Sequence, residues 1–328
     1  MSIRSALASV AVAAVLLVGT TADQSSDRSA RNSKAPASEA VPRPSVVSSA
    51  LSEPTAPRCD DPLGSLRPQG PLPEPGRMPP GSTMADIAER GRLAVAVGLD
   101  TYLISSRDPE TRLLEGFDID IAGDIAEAIF GDRSRVYYRQ LDLPGRLAAV
   151  ESRDVDLMVG STTITCQRRD QVEFSTVYYQ AGQRVLVNRG SGVTDLKGLA
   201  GKRVCASRRS TSLQTVLADP SRPVPVGAPS VTDCLVMLQL GTVDAVSSDD
   251  ALLAGLAAQD PRTEIVGPPL DEEPYGVVIN PAAPDLVRFV NAVLERRVED
   301  GRWQASYQSW LAAALGPPPS PPEPQYRD

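Results

Sequence analysis

The chain has 328 residues, a net charge of −8 and no histidine. The acidic balance argues against a nucleic-acid partner, which would need a basic face. The lack of histidine removes Ser-His-Asp and Cys-His nucleophilic sites and the commonest transition-metal ligand, so neither a metal nor a cofactor is expected.

The N-terminus reads as an export signal. Arg4 is a short positive region, 6–18 is an uncharged apolar run, and small residues follow at 19–22, so 1–22 is expected to be a signal peptide rather than a membrane span. A bacterial lipoprotein would carry a cysteine just after such a run. Here Thr20 follows Leu17-Val18-Gly19, so the expectation is an exported protein, periplasmic or held at the cell envelope, without a lipid-bearing cysteine. Residues 23–82 are dense in Pro, Ser, Ala and charge and low in aromatic residues, and they read as a tether. Residues 316–328 begin with a Pro-rich run and read as a second stiff, extended segment. Cys59, Cys166, Cys205 and Cys234 are too widely spaced for a zinc knuckle or a C-x-x-C pair. An even count in an exported chain reads as two disulfides. Three pairings are possible, and Cys205 with Cys234 and Cys59 with Cys166 is the one favoured.

Between the two Pro-rich segments, strand and helix patterns alternate. A buried strand is predicted at 93–97. A helix follows at 118–129, with Ile121, Ile125 and Ile129 at helical spacing. A further helix is expected around 147–152 and a strand at 155–159. A fresh unit starts near Thr194, with a strand at 202–206, helices at 212–217 and 231–240, a strand at 244–246 and a helix at 249–258. A strand at 275–279 and helices at 285–299 and 303–314 close the chain. This repeated β-α-β order implies parallel sheets covered by helices, in two modest α/β domains.

Five local patterns, in order over 84–311, resemble one family, the type 2 periplasmic solute-binding proteins for polar amino acids (solute-binding family 3). They are Gly116-Phe117-Asp118-Ile119-Asp120; Gly160-Ser161-Thr162-Thr163-Ile164-Thr165 with Arg168-Arg169 and Phe174-Ser175; Gly201-Lys202-Arg203-Val204; Asp244-Ala245-Val246 with Asp249-Asp250-Ala251-Leu252-Leu253; and Tyr275-Gly276-Val277. The likeness extends to actinobacterial lipoproteins of the GlnH type, through the Pro-rich tether and the cysteines in Thr165-Cys166 and Asp233-Cys234-Leu235. The resemblance implies a two-lobed Venus-flytrap fold with the ligand cleft between lobes. Lobe 1 would comprise 83–182 plus 275–315 and lobe 2 would comprise 183–274, with crossings near 181–184 and 271–275. It implies a monomeric binding protein, not an enzyme, that delivers an amino acid to an ABC transporter permease or a membrane sensor. An enzyme on the same scaffold, such as a cyclohexadienyl-dehydratase-like lyase, is the alternative, because fold does not fix function.

A free amino acid presents a carboxylate, an ammonium and a side chain, and a cleft must satisfy all three. Arg168 matches the family's α-carboxylate arginine, whose fork suits that group. Arg169 beside it is expected to be a solvated surface residue. Ser161 and Thr163 match positions that share the ligand's charged groups, and alternation along an extended segment would put them on one side. Asp249 matches the aspartate that accepts the ammonium, although it could instead cap a helix. Ser207, Ser210 and Thr211 match the second-lobe loop that closes over the ligand. Arg146 matches the arginine that meets the side-chain carboxylate in glutamate/aspartate-binding relatives, so glutamate or aspartate is the expected ligand. Asp100 resembles an aspartate of glutamine binders and supports glutamine or asparagine as the alternative.

Overall fold

The computed structural model describes residues 61–328. The first part of the chain runs α1 (Thr83–Arg90), β1 (Leu93–Val97), β2 (Asp100–Thr101), β3 (Ser105–Arg107), β4 (Leu114–Glu115), α2 (Phe117–Phe130), β5 (Val136–Gln140), α3 (Leu143–Glu151), β6 (Leu157–Met158), α4 (Cys166–Arg169) and β7 (Glu173–Phe174). A long strand, β8 (Tyr179–Asn188), leads into β9 (Arg203–Ser207), α5 (Thr211–Ala218), β10 (Val224–Ala228), α6 (Val231–Gln239), β11 (Ala245–Asp249), α7 (Asp250–Gln259) and β12 (Thr263–Val266). The chain then returns through β13 (Glu272–Tyr275) and β14 (Val278–Ile279) to α8 (Pro284–Glu299), α9 (Arg302–Trp310) and α10 (Ala312–Leu315).

These elements make two α/β lobes. The first-lobe sheet has the order β5-β1-β6-β14-β7 and the second β10-β9-β11-β8-β12. β1 is parallel to β5 and β6, and β9 is parallel to β10 and β11, as the repeated β-α-β order requires. β13 runs antiparallel to the start of β8, pairing Glu272 with Gly182 and Tyr275 with Tyr179, so the chain crosses between the sheets twice, side by side. The expected continuous strand at 275–279 is split for this reason. Gly276 donates to Thr162 O and Val277 to the Ser175 hydroxyl, and the ladder changes partners from one sheet to the other. The helix expected at 303–314 is likewise two helices, α9 and α10, broken at the buried Leu311.

The first-lobe core gathers around α2, where Ile121, Ile125 and Ile129 are fully buried, each such burial contributing about 1.5–3 kcal/mol. Leu286, Val287, Val290 and Val293 of α8 pack against the same cluster. In the second lobe, Cys205 of β9 and Cys234 of α6 form a disulfide, joining sheet and helix as expected. Cys166 is also disulfide-bonded, and Cys59, its expected partner, lies outside the described residues, as does the expected signal peptide 1–22.

The extended segments differ from their expected character. From residue 61 the presumed tether packs on the first lobe: Leu63, Leu66, Leu72 and Met78 lie against its core. Polar side chains of the lobe also hold its backbone. Asn291 Nδ2 donates to Ser65 Oγ and to Leu66 O, and Ser65 Oγ donates to Phe174 O. The tail lies alongside, with Ser65 N donating to Gln325 O, Arg327 N to Ser65 O, and Arg327 paired with Glu173. Composition alone underestimated this segment, because its order comes from partners elsewhere in the chain.

Candidate functional site

Strands end and helices begin at one place between the lobes. β1 ends just before Gly98, β6 just before Gly160 and Ser161, β9 at Ser207, β10 just before Pro229, and β11 at Asp249, and all these residues line a single cavity of about 540 Å³. In open parallel sheets, ligands bind in the crevice beyond the carboxyl ends of the strands. The starts of α3, α4, α5 and α6 lie around the same space and carry side-chain caps. Asp142 Oδ1 accepts from Gly145 N at 3.0 Å, Thr165 Oγ1 from Arg168 N at 3.2 Å, and Ser210 Oγ from Leu213 N at 3.0 Å. Ser230 and Asp233 form a capping box at α6.

All nine residues singled out in the sequence line this cavity: Asp100, Arg146, Ser161, Thr163, Arg168, Ser207, Ser210, Thr211 and Asp249. Their side chains are engaged in different ways. Arg168, in the last turn of α4, donates Nη1 to Thr163 O at 2.6 Å. Arg146, on α3, donates Nη1 to Gly160 O at 3.0 Å, and its Nε has no hydrogen-bond partner among the described residues. Gly160 permits this approach, since a Cβ there would stand 2.1 Å from Arg146 Nη1. Burial pushes the affinity of both guanidinium groups for their proton down. Asp118 and then Asp100 oppose this at Arg146, and Glu273 and then Asp249 oppose it at Arg168.

Asp249 does not cap α7 through its side chain, so that structural role is excluded. It is 4% exposed and accepts from Tyr275 Oη at 2.5 Å and Ser212 Oγ at 3.4 Å. Burial, and next the nearby Glu273 carboxylate, push its pKa up to about 8. Asp249 is thus a buried carboxyl beside the cavity that a ligand cation would favour in its ionised form.

Several predicted hydroxyls are tied within the protein. Ser161 Oγ donates to Asp118 Oδ2 at 3.0 Å, Thr163 Oγ1 donates to Glu273 Oε2, and Thr211 Oγ1 donates to the same oxygen at 3.0 Å. Ser210 Oγ caps α5 and donates to Ser207 O at 2.7 Å. Ser161 also departs from the extended alternation expected of it: its φ is +47°, in the left-handed region, although it and Thr163 both face the cavity. Arg169 is not a solvated neighbour of Arg168. Its side chain is 9% exposed, donating to Pro62 O at 2.6 Å, to Gly64 O at 2.8 Å and to Glu173 at 2.5 Å. Arg208 and Arg209 are exposed, and Arg208 reaches the cavity edge.

Sequence reading missed the supporting carboxylates. Asp118 is buried, accepts from Tyr178 Oη at 2.9 Å and from Ser161, and is raised to about 6 by burial. Glu273 is 1% exposed and sits behind Thr163 and Thr211, its pKa also raised by burial. The only signal was position: Asp118 lies inside the Gly-Phe-Asp motif, and Glu273 lies two residues before Tyr275.

Two α/β lobes around a cleft that carries two arginines and a buried aspartate define a receptor for a small polar solute. The chain belongs to the bacterial extracellular solute-binding proteins, family 3, whose pattern it matches over residues 93–313. It is 32% identical over 230 residues to the ABC transporter glutamine-binding protein GlnH of Bacillus subtilis, covering 70% of this chain and 84% of that one. It is 25% identical over 256 residues to a glutamate/aspartate import solute-binding protein of Salmonella typhimurium, covering 74% and 84% respectively. Among solved structures it resembles an ancestral arginine-binding protein bound to glutamine, with 31% identity and a TM-score of 0.62 over 68% of this chain and 98% of that one.

Proposed function

We propose that the protein is an extracytoplasmic receptor for an acidic amino acid, glutamate or aspartate, acting as a monomer. It would hand its ligand to an ABC importer or report it to a membrane sensor. Arg168 holds the α-carboxylate, Asp249 the ammonium and Arg146 the side-chain carboxylate, with Asp100, Ser161, Thr163, Ser207, Ser210 and Thr211 forming the surrounding walls. The observation that carries the acidic ligand is Arg146. Its guanidinium faces the cavity with a buried Nε lacking a partner among the described residues, and a buried cationic donor favours an anionic acceptor.

A second reading has support of its own. Asp118 and Asp100 already offset the charge of Arg146, and a relative at 32% identity is named as glutamine-binding. In this reading an amide, glutamine or asparagine, takes the place of the acid. The lyase alternative is not carried forward, because the family and the relatives are solute-binding proteins. A thermal-shift screen of the mature chain against the twenty amino acids tests the proposal. Stabilisation led by glutamate and aspartate supports it, and stabilisation led by glutamine transfers it to the second reading.

A further inference from the structure

We propose that Gly255, outside the ligand-contact set, governs affinity by providing the seat on which the two lobes close. Gly255 is a buried residue in the interior of α7, where glycine is a weaker helix former than alanine. Its lack of a side chain has a specific use. A Cβ at this position would stand 2.1 Å from the carbonyl oxygen of Tyr102, 3.1 Å from its carbonyl carbon and 3.7 Å from its Cα. All three are backbone atoms of the turn between β2 and β3, which belongs to the first lobe.

That turn cannot easily retreat. Ile104 N donates to Thr101 O at 3.1 Å within it. Phe117 N donates to Leu103 O and Asp118 N to Ile104 O, each at 3.0 Å, tying the turn to the start of α2. A second contact from the other lobe grips the same hairpin, since Thr232 Oγ1 at the start of α6 donates to Asp100 O at 2.7 Å. The hairpin is therefore held by two second-lobe helices, and Asp100, Thr101, Thr232 and Leu252 line the cavity beside these contacts. α7 begins at Asp250, directly after Asp249, which pairs with Gln183 at the crossing, and Gly255 lies more than a helical turn farther along. Hinge opening would separate Gly255 from Tyr102 and leave room for a methyl group. The glycine is thus required by the closed cleft alone, and ligand affinity scales with the population of that state.

The inference rests on the amino-acid reading of the cleft. The test compares the full mature chain with Gly255→Ala and Gly255→Val, titrated with L-glutamate and with L-glutamine and followed by small-angle scattering. Gly255→Ala is expected to weaken whichever ligand binds by roughly tenfold or more through faster dissociation, with little change in association. Its unliganded melting temperature is expected to match or exceed the wild type, and ligand is expected to compact it less. Gly255→Val is expected to show a larger loss of affinity. Wild-type affinity in Gly255→Ala, or a melting temperature that falls together with affinity, overturns the inference. If the wild type binds neither ligand yet Gly255→Ala scatters as a more open particle, the amino-acid reading fails and the seat stands. If it binds neither and the profiles coincide, both fail.

Discussion

The phenol of Tyr275 donates to Oδ2 of Asp249 at 2.5 Å, so a residue on the returning crossing strand holds the second lobe's buried carboxyl at the edge of the cleft. Because the pKa of Asp249 is pushed up to about 8, this carboxyl is expected to be largely protonated at neutral pH without ligand. In the proposed reading a ligand ammonium favours the carboxylate, so binding should release a proton. Affinity should therefore rise as pH is raised towards 8 and level off above it, by up to about tenfold per pH unit for one proton. Calorimetry in two buffers of different ionisation enthalpy measures the proton released. Asp249→Asn should abolish that release and flatten the profile.

The same shift has the opposite sign for unliganded stability. The folded chain binds this proton more tightly than the unfolded chain, whose carboxyl titrates near the ordinary 3.8. Stability is fullest below that value and declines as pH rises through the window to about 8. Asp118, raised to about 6, adds a decline in the lower part of the window. Urea unfolding without ligand at several pH values checks this, and Asp249→Asn should lose the upper part of the slope.

Arg169 and the tail should differ in weight. Arg169→Ala leaves two backbone carbonyls and Glu173 without a largely buried partner, an effect on the order of 3 kcal/mol. Removing 325–328 breaks a short bridge and partly exposed ion pairs, each worth about 1 kcal/mol. Urea midpoints of the two variants rank them, and a tail deletion as damaging as Arg169→Ala would contradict the ranking.

Arg168 and Arg146 should separate by ligand. In the proposed reading Arg168→Ala removes the partner of the α-carboxylate, which every amino acid carries, so all ligands should weaken together by about 2–5 kcal/mol. Arg146→Gln keeps hydrogen-bonding capacity but loses charge, so glutamate and aspartate weaken more than glutamine and asparagine. Titration of both variants with the four ligands reads the difference. A uniform loss in Arg146→Gln would make that residue structural.

Much of this was legible in the sequence because it depends on local rules. Ile121, Ile125 and Ile129 announce a helix by spacing alone, and the Gly-Ser-Thr run after β6 marks a strand end at the cavity. The disulfide between Cys205 and Cys234 was within reach as one of three pairings. What escaped depends on long-range partners. Glu273 has meaning only once Thr163 and Thr211 converge on it, from 110 and 62 residues away. Arg169 looked like a surface charge because Pro62 and Gly64, which it holds, lie in a segment whose composition reads as disordered. The φ of +47° at Ser161 follows from no neighbour in sequence.

The central claim is that Arg146 makes the cleft a receptor for an acidic amino acid. It is tested most directly by calorimetric titration of the wild-type protein with L-glutamate and L-glutamine under identical conditions. Glutamate is expected to bind more tightly, because its side-chain carboxylate would meet the Arg146 guanidinium. Tighter binding of glutamine would contradict it and favour the reading in which Asp118 and Asp100 already offset the charge of Arg146.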